Sequence, residues 1–128
     1  MKQSIFLSKK FIARILSYLI LAGTMIAASH LTLDSSIALG KKIYHDRCRA
    51  CHGERGDGKT FAANALFPPP KNFIAKNTKA ELTRTQMIRS ITQGRPNTAM
   101  MAWENVLSEQ EILLVVGYIR KELMGLKD

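Results

Sequence analysis

Cysteine is nearly absent from this chain: 128 residues hold two, Cys48 and Cys51. A pair so close in sequence cannot build the multi-bridge framework of a small secreted disulfide protein. No cysteine precedes Cys48, which excludes a lipid attached at a mature N-terminal cysteine. Aromatic residues are scarce, at 7%, and a chain this short has a thin core unless something large and apolar is added to it. Repeats and low-complexity stretches are missing as well. With 46% hydrophobic and 23% charged residues, the composition is that of one small globular domain with an extension. No strand pattern, no acid–base pair of catalytic type and no phosphate loop can be read; GERGDG is glycine-rich but does not follow a strand.

The longest apolar run covers residues 15–28 and falls short of the roughly 20 residues that span a membrane. It follows Lys2, Lys9, Lys10 and Arg14 with no acid among them, and it ends in the small residues Ala27, Ala28 and Ser29. This is the pattern of an export signal. The expected organisation is a signal peptide over residues 1–29, cleaved, and a single domain over 30–128. The alternative is an uncleaved anchor in the inner membrane. Of the net +9, four basic side chains belong to the first 29 residues, which leaves the domain with 15 basic and 10 acidic residues, a net of +5. Its positive charges are scattered along the sequence, unlike the clustered stripe of a nucleic-acid binder. They read as a solvated surface, or as a docking face for acidic partners.

Three helices are expected. The first covers residues 34–47, with Asp34, Ser35 or Ser36 as cap, and leads directly into the sequence CRACHG. The second covers 79–92, where Thr78–Glu81 fits a capping box and Leu82, Met87, Ile88 and Ile91 form an apolar stripe. The third begins at the capping box Ser108–Glu111 and carries Ile112, Val115, Val116, Ile119 and Leu123 before Gly125. Between the first two lies a loop rich in glycine and proline, which makes sense wrapped around a ligand. Gly40 and Gly117 sit inside helices, where glycine costs roughly 0.5–1 kcal/mol relative to alanine. Their expected role is a close crossing of the first and third helices, with Tyr44 and Tyr118 packed alongside.

CRACHG, residues 48–53, admits three chemistries. A thioredoxin-like dithiol rests on a strand–helix–strand scaffold, which is missing. A structural zinc site needs four ligands; His30 or His45 would have to join Cys48, Cys51 and His52, and adjacent Cys-His ligation suits a tetrahedron poorly. Haem attachment uses all three residues: the thiols add to the two vinyl groups, and His52 is held beneath the iron. Tethering also explains why an exported protein keeps two thiols outside a disulfide framework.

With these residues in place, the chain resembles a class I c-type cytochrome of the small bacterial single-haem group. The resemblance rests on Gly40-Lys41-Lys42-Ile43-Tyr44, CRACHGERGDGK, LFPPPKNF, ITQGRPNTAMMAW and LSEQEILLVVGYIRKEL, and it covers essentially everything after the signal. It implies an all-α fold of three main helices wrapped around one haem c, covalent through Cys48 and Cys51, with His52 and a distal methionine as iron ligands. The methionine that matches the pattern is Met100; Met101 stands where the family usually has proline. In similar proteins a proline loop supplies the carbonyl that orients the histidine, which points to the Pro68–Pro70 segment and to Pro68 first. Trp103 is either a donor to a haem propionate through its indole N–H or an apolar wall beside the haem.

A thioether is soft and neutral and favours ferrous iron. Ligation by His52 and Met100 would saturate the iron and leave one-electron transfer as the chemistry. The expectation is an electron-transfer protein rather than an enzyme. It would be a periplasmic, monomeric shuttle between a dehydrogenase or membrane complex and a terminal acceptor, meeting redox proteins through small, short-lived contacts, with no nucleic-acid partner and no stable membrane insertion. The alternatives are a dedicated haem subunit of a dehydrogenase or oxidase, and a haem peroxidase or gas sensor.

Overall fold

The computed structural model describes residues 9–126. Residues 1–8, the start of the expected export signal, lie outside the described residues. So do the side chains at 23–33, among them the expected cleavage point at Ala27–Ser29 and His30. The chain divides into two compact units, one up to Ser35 and one from Ser36 onward. In the first, residues 11–22 are helical and solvent-exposed. Among the described residues, no helix is long and apolar enough to cross a membrane.

The described residues are helical and contain no strand, as expected. Helix α1 spans Lys9–Arg47, α2 is the short turn Arg49–His52, α3 spans Lys76–Glu81, α4 Arg84–Gln93 and α5 Glu109–Tyr118. Asp34, Ser35 and Ser36 cap nothing, because α1 runs through them. The second expected helix is two. Thr78, read as a cap, lies inside α3 and is buried, and Leu82 is extended. The working capping box is Thr83–Gln86, in which each residue's side chain bonds the other's backbone N–H. Ser108–Glu111 forms the same box at α5, as expected. Helix α5 then widens into a π-helical turn, Ile119–Leu123, closed by the Met124 N–H on the Ile119 carbonyl at 2.9 Å. Residues five apart on an α-helix diverge by about 140°. The wider turn reduces that divergence and lets Ile119 and Met124, 2% and 1% exposed, both face the interior.

The core of the second unit joins Tyr44 from α1, Met87 and Ile91 from α4, and Ile112, Val115, Val116 and Tyr118 from α5, with Phe73 and Leu107 from the loops. Burying each such side chain contributes about 1.5–3 kcal/mol. Gly40 is where α1 meets α5: a Cβ there would overlap the Leu114 carbonyl oxygen and stand 2.9 Å from Tyr118 Cβ. The Tyr44 and Tyr118 rings pack at 5.5 Å, as expected. Gly117 does not take part, since nothing lies within 4 Å of its would-be Cβ. The close approach is therefore one-sided, a glycine of α1 against the backbone and β-carbons of α5.

Candidate functional site

CRACHG is a pinned helical turn. Cys48 donates its N–H to the Tyr44 carbonyl at 2.9 Å, and His52 donates to the Cys48 carbonyl at 2.9 Å. Gly58 donates to the His52 carbonyl at 2.8 Å, which folds the GERGDG loop back over the turn. The fully buried Tyr44 hydroxyl donates to the Gly53 carbonyl at 2.6 Å. Residues three and four apart share a helix face, so this geometry turns Cys48, Cys51 and His52 the same way. Burial pushes the Cys48 thiol up to about 11, with nearby Cys51 adding to the effect.

His52 is fixed from two sides. Its ring stacks on Phe73 at 4.8 Å and 12°, and the Phe73 N–H is held by the Gly56 carbonyl at 2.7 Å. The carbonyl facing His52 Nδ1 is that of Lys71, at 3.4 Å. This corrects the assignment to Pro68: the loop turns so that the third residue after it presents its oxygen. Pro68 remains in the wall of the site. Burial lowers the imidazole's pKa, and the Lys71 carbonyl opposes this in part. The neutral ring is the form that offers a nitrogen lone pair.

The opposite side is built by the end of α4. The last carbonyls of a helix lack intrahelical partners, and here the returning chain supplies them: Trp103 N–H bonds the Ile91 carbonyl at 3.0 Å and Glu104 N–H the Thr92 carbonyl at 3.4 Å. Gly94, at φ 70°, makes the return possible. Within the loop, Arg95 N–H bonds the Met100 carbonyl at 2.9 Å, and Met100 N–H bonds Thr98 Oγ1 at 3.1 Å. Met100 is thus held through both its backbone groups, and its partly buried side chain packs on the core. Met101 is 59% exposed.

These segments enclose a cavity of about 460 Å³, within the range of ligand pockets. Cys48, Cys51, His52, Pro68, Met100 and Trp103 all line it, together with Met101. The remaining wall is largely apolar, with Leu66, Phe73, Leu82, Met87, Ile91 and Ile119. Arg47, Lys71 and Arg95 are its cations, and no acidic residue lines it. Among the described residues, no group of three or more His, Cys, Asp and Glu could hold a metal ion in the manner of a zinc site. His45 is instead engaged with Glu54, at 3.1 Å. Phe73 and Lys71 are functional contacts that sequence reasoning missed; their place opposite His52 is decided by the path of the loop, which no local pattern states.

Residues 35–119 match the family described as cytochrome c oxidase, cbb3-type, subunit III. The chain belongs to that family. It is a small c-type cytochrome of all-α fold, it carries covalently bound haem c, and its role is electron transfer. The cytochrome is 32% identical over 83 residues to the cbb3-type cytochrome c oxidase subunit CcoP of Azospirillum brasilense, an alignment covering 62% of this chain and 26% of that one. It is 35% identical over 72 residues to cytochrome c55X of Stutzerimonas stutzeri, covering 54% of this chain and 52% of the relative. The chain therefore spans about a quarter of the first relative's length and about half of the second's. Among solved structures, the c-type cytochrome KustC0563 aligns with a TM-score of 0.53 at 26% identity, covering 63% of this chain and 93% of that one. The site fits the group that the family carries: two thiols on one helical face, an imidazole and a thioether meet in an apolar cavity.

Proposed function

We propose that this cytochrome is an exported single-electron carrier in which Cys48 and Cys51 tether the haem and His52 and Met100 are its axial ligands. The observation that carries this reading is the convergence of the site. Six side chains spread from position 48 to position 103 line one cavity. Haem c supplies a one-electron iron couple. The chain's own part is to hold the group and fix its surroundings. The turn from Cys48 to His52 presents the thiols and the imidazole together, Phe73 and Lys71 set the orientation of His52, and the loop closed by Gly94 presents Met100. The burial and double backbone anchoring of Met100 favour it over the exposed Met101. The basic and apolar N-terminal segment supports export to the periplasm, with residues 30–128 as the working domain.

A second reading, a dedicated subunit of an oxidase, draws on the family description and on the CcoP relative. Osmotic shock of native cells separates the two: a shuttle leaves alone, and a subunit stays with its complex. The test of the ligand assignment is a redox titration with visible spectra. The weak red-end band of sulfur-to-iron ligation in the ferric protein is expected to vanish in Met100→Ala, with a lower midpoint potential, and to survive in Met101→Ala. The reverse pattern moves the ligand by one residue. Prompt carbon monoxide binding by the ferrous wild type at neutral pH overturns a saturated iron and favours a peroxidase or sensor.

A further inference from the structure

We propose that Met101 is a site of reversible oxidation, at which a hydroperoxide converts the thioether to a sulfoxide and makes the wall of the haem cavity more polar. This rests on the reading of His52 and Met100 as iron ligands and adds a modification site beside them. The domain from His30 onward holds four methionines, Met87, Met100, Met101 and Met124. Met87 and Met124 are 4% and 1% exposed. Met100 is partly buried and packs on the core. Met101 alone of the four is exposed, at 59%, and it takes no part in the core. It also lines the cavity, so its side chain stands where cavity and solvent meet.

Oxidation needs access to a free lone pair on sulfur. As an iron ligand Met100 commits that pair to the metal, whereas the Met101 sulfur keeps its own. The step balances. A sulfur lone pair attacks one oxygen of the hydroperoxide, the O–O bond breaks, an S–O bond forms, and the second oxygen leaves as water or an alcohol. Sulfur loses two electrons and the peroxide gains them. A dithiol reverses the change: the sulfoxide oxygen leaves as water and the two thiols become a disulfide.

The fold tolerates a sulfoxide at this position. The return loop is held by Met100 N–H on Thr98 Oγ1, by Arg95 N–H on the Met100 carbonyl and by Trp103 N–H on the Ile91 carbonyl. None of these bonds uses the Met101 side chain. The same oxygen on Met87 or Met124 would bury a polar group among apolar neighbours. What changes at Met101 is the cavity. Its wall is largely apolar, and the sulfoxide adds a strong dipole and an acceptor oxygen to the wall that also holds the donors Lys71 and Arg95. A more polar shell stabilises the more highly charged ferric form, so the midpoint potential falls. The carrier thus becomes a weaker oxidant where hydroperoxide accumulates, and recovers when thiols remove the oxygen.

The test treats the ferric holoprotein with a few equivalents of hydrogen peroxide and locates the added oxygen by tandem mass spectrometry of the peptide that holds Met100 and Met101. Met101 is expected to gain one oxygen at least about tenfold faster than Met87, Met100 or Met124. The oxidised protein keeps its red-end band and its melting temperature. Its ferric-to-ferrous ratio at a fixed ambient potential is expected to rise at least about threefold. Met101→Leu loses that rise, and Met101→Gln, with a polar amide in place of the sulfoxide, shows it without peroxide. Dithiothreitol with a methionine sulfoxide reductase restores the starting ratio in the oxidised wild type. Oxidation of Met100 ahead of Met101 overturns the proposal, as does an unchanged ratio in the oxidised wild type and in Met101→Gln. Loss of the red-end band with the oxygen on Met101 alone places Met101 on the iron and overturns the ligand reading itself, so the two failures are recognisable apart.

Discussion

Replacing Gly94 with alanine asks whether the return loop is what presents Met100. At φ 70° and ψ −169°, a region essentially reserved for glycine, an alanine pays about 1–3 kcal/mol. Its Cβ would also stand 2.7 Å from the Met100 carbonyl oxygen, 2.7 Å from the Ala102 nitrogen and 2.8 Å from the Met101 carbonyl carbon. These are backbone atoms, so no rotamer change relieves the overlap. Relief requires residues 100–102 to move off the end of α4. That movement loosens the bonds from Arg95 N–H to the Met100 carbonyl and from Trp103 N–H to the Ile91 carbonyl, each worth about 1 kcal/mol. Together these give a loss of about 2–4 kcal/mol, a fall on the order of 10–30 °C in melting temperature for a domain of this size. The assay is thermal unfolding of the ferric holoprotein by far-UV circular dichroism, with the red-end band followed in parallel; the band is expected to weaken before the helices melt. Gly117→Ala is the control. It lies inside α5 with open space around it, and gains about 0.5–1 kcal/mol from helix propensity. If Gly94→Ala melts within a few degrees of wild type and keeps its band, Gly94 does not hold the methionine loop.

Two further outcomes follow from the hydrogen bonds. Tyr44→Phe removes the 2.6 Å donor to the Gly53 carbonyl and is expected to cost about 1–2 kcal/mol, read as a lower guanidinium midpoint at unchanged slope. Bonds from the Ser108 N–H and hydroxyl hold Glu111 below the usual carboxylate range. Its contribution is therefore complete above that range and lost as pH falls through it. Melting temperature against pH is expected to fall less steeply on the acid side in Glu111→Gln than in wild type, and equal slopes would refute the assignment.

The helical class and the Ser108 cap were legible because each is decided within a few residues of sequence. The second helix shows where such legibility stops. Thr78–Glu81 and Thr83–Gln86 both satisfy the capping pattern, and burial of Thr78 among tertiary neighbours selects the later one. Gly40 and Gly117 are equivalent by sequence logic as well. Only the distance to Leu114 and Tyr118 separates a required glycine from a spare one. At the site, CRACHG pointed to Cys48, Cys51 and His52, and the family resemblance pointed to Met100, Pro68 and Trp103; all six line one cavity. The oxygen that faces His52 was not legible, since three residues of loop path decide between Pro68 and Lys71.

The uneven placement of charge has a consequence before any contact is made. Two proteins that meet at random must tumble through many useless orientations, which is a main reason why ordinary association falls far below the diffusion limit. The cations that line the cavity, Arg47, Lys71 and Arg95, have no acidic residue beside them in its wall, and a protein charged unevenly in this way is turned by the field of an oppositely charged neighbour before contact. For the electron carrier proposed above, such a torque would shorten the search without deepening the well from which each partner has to escape.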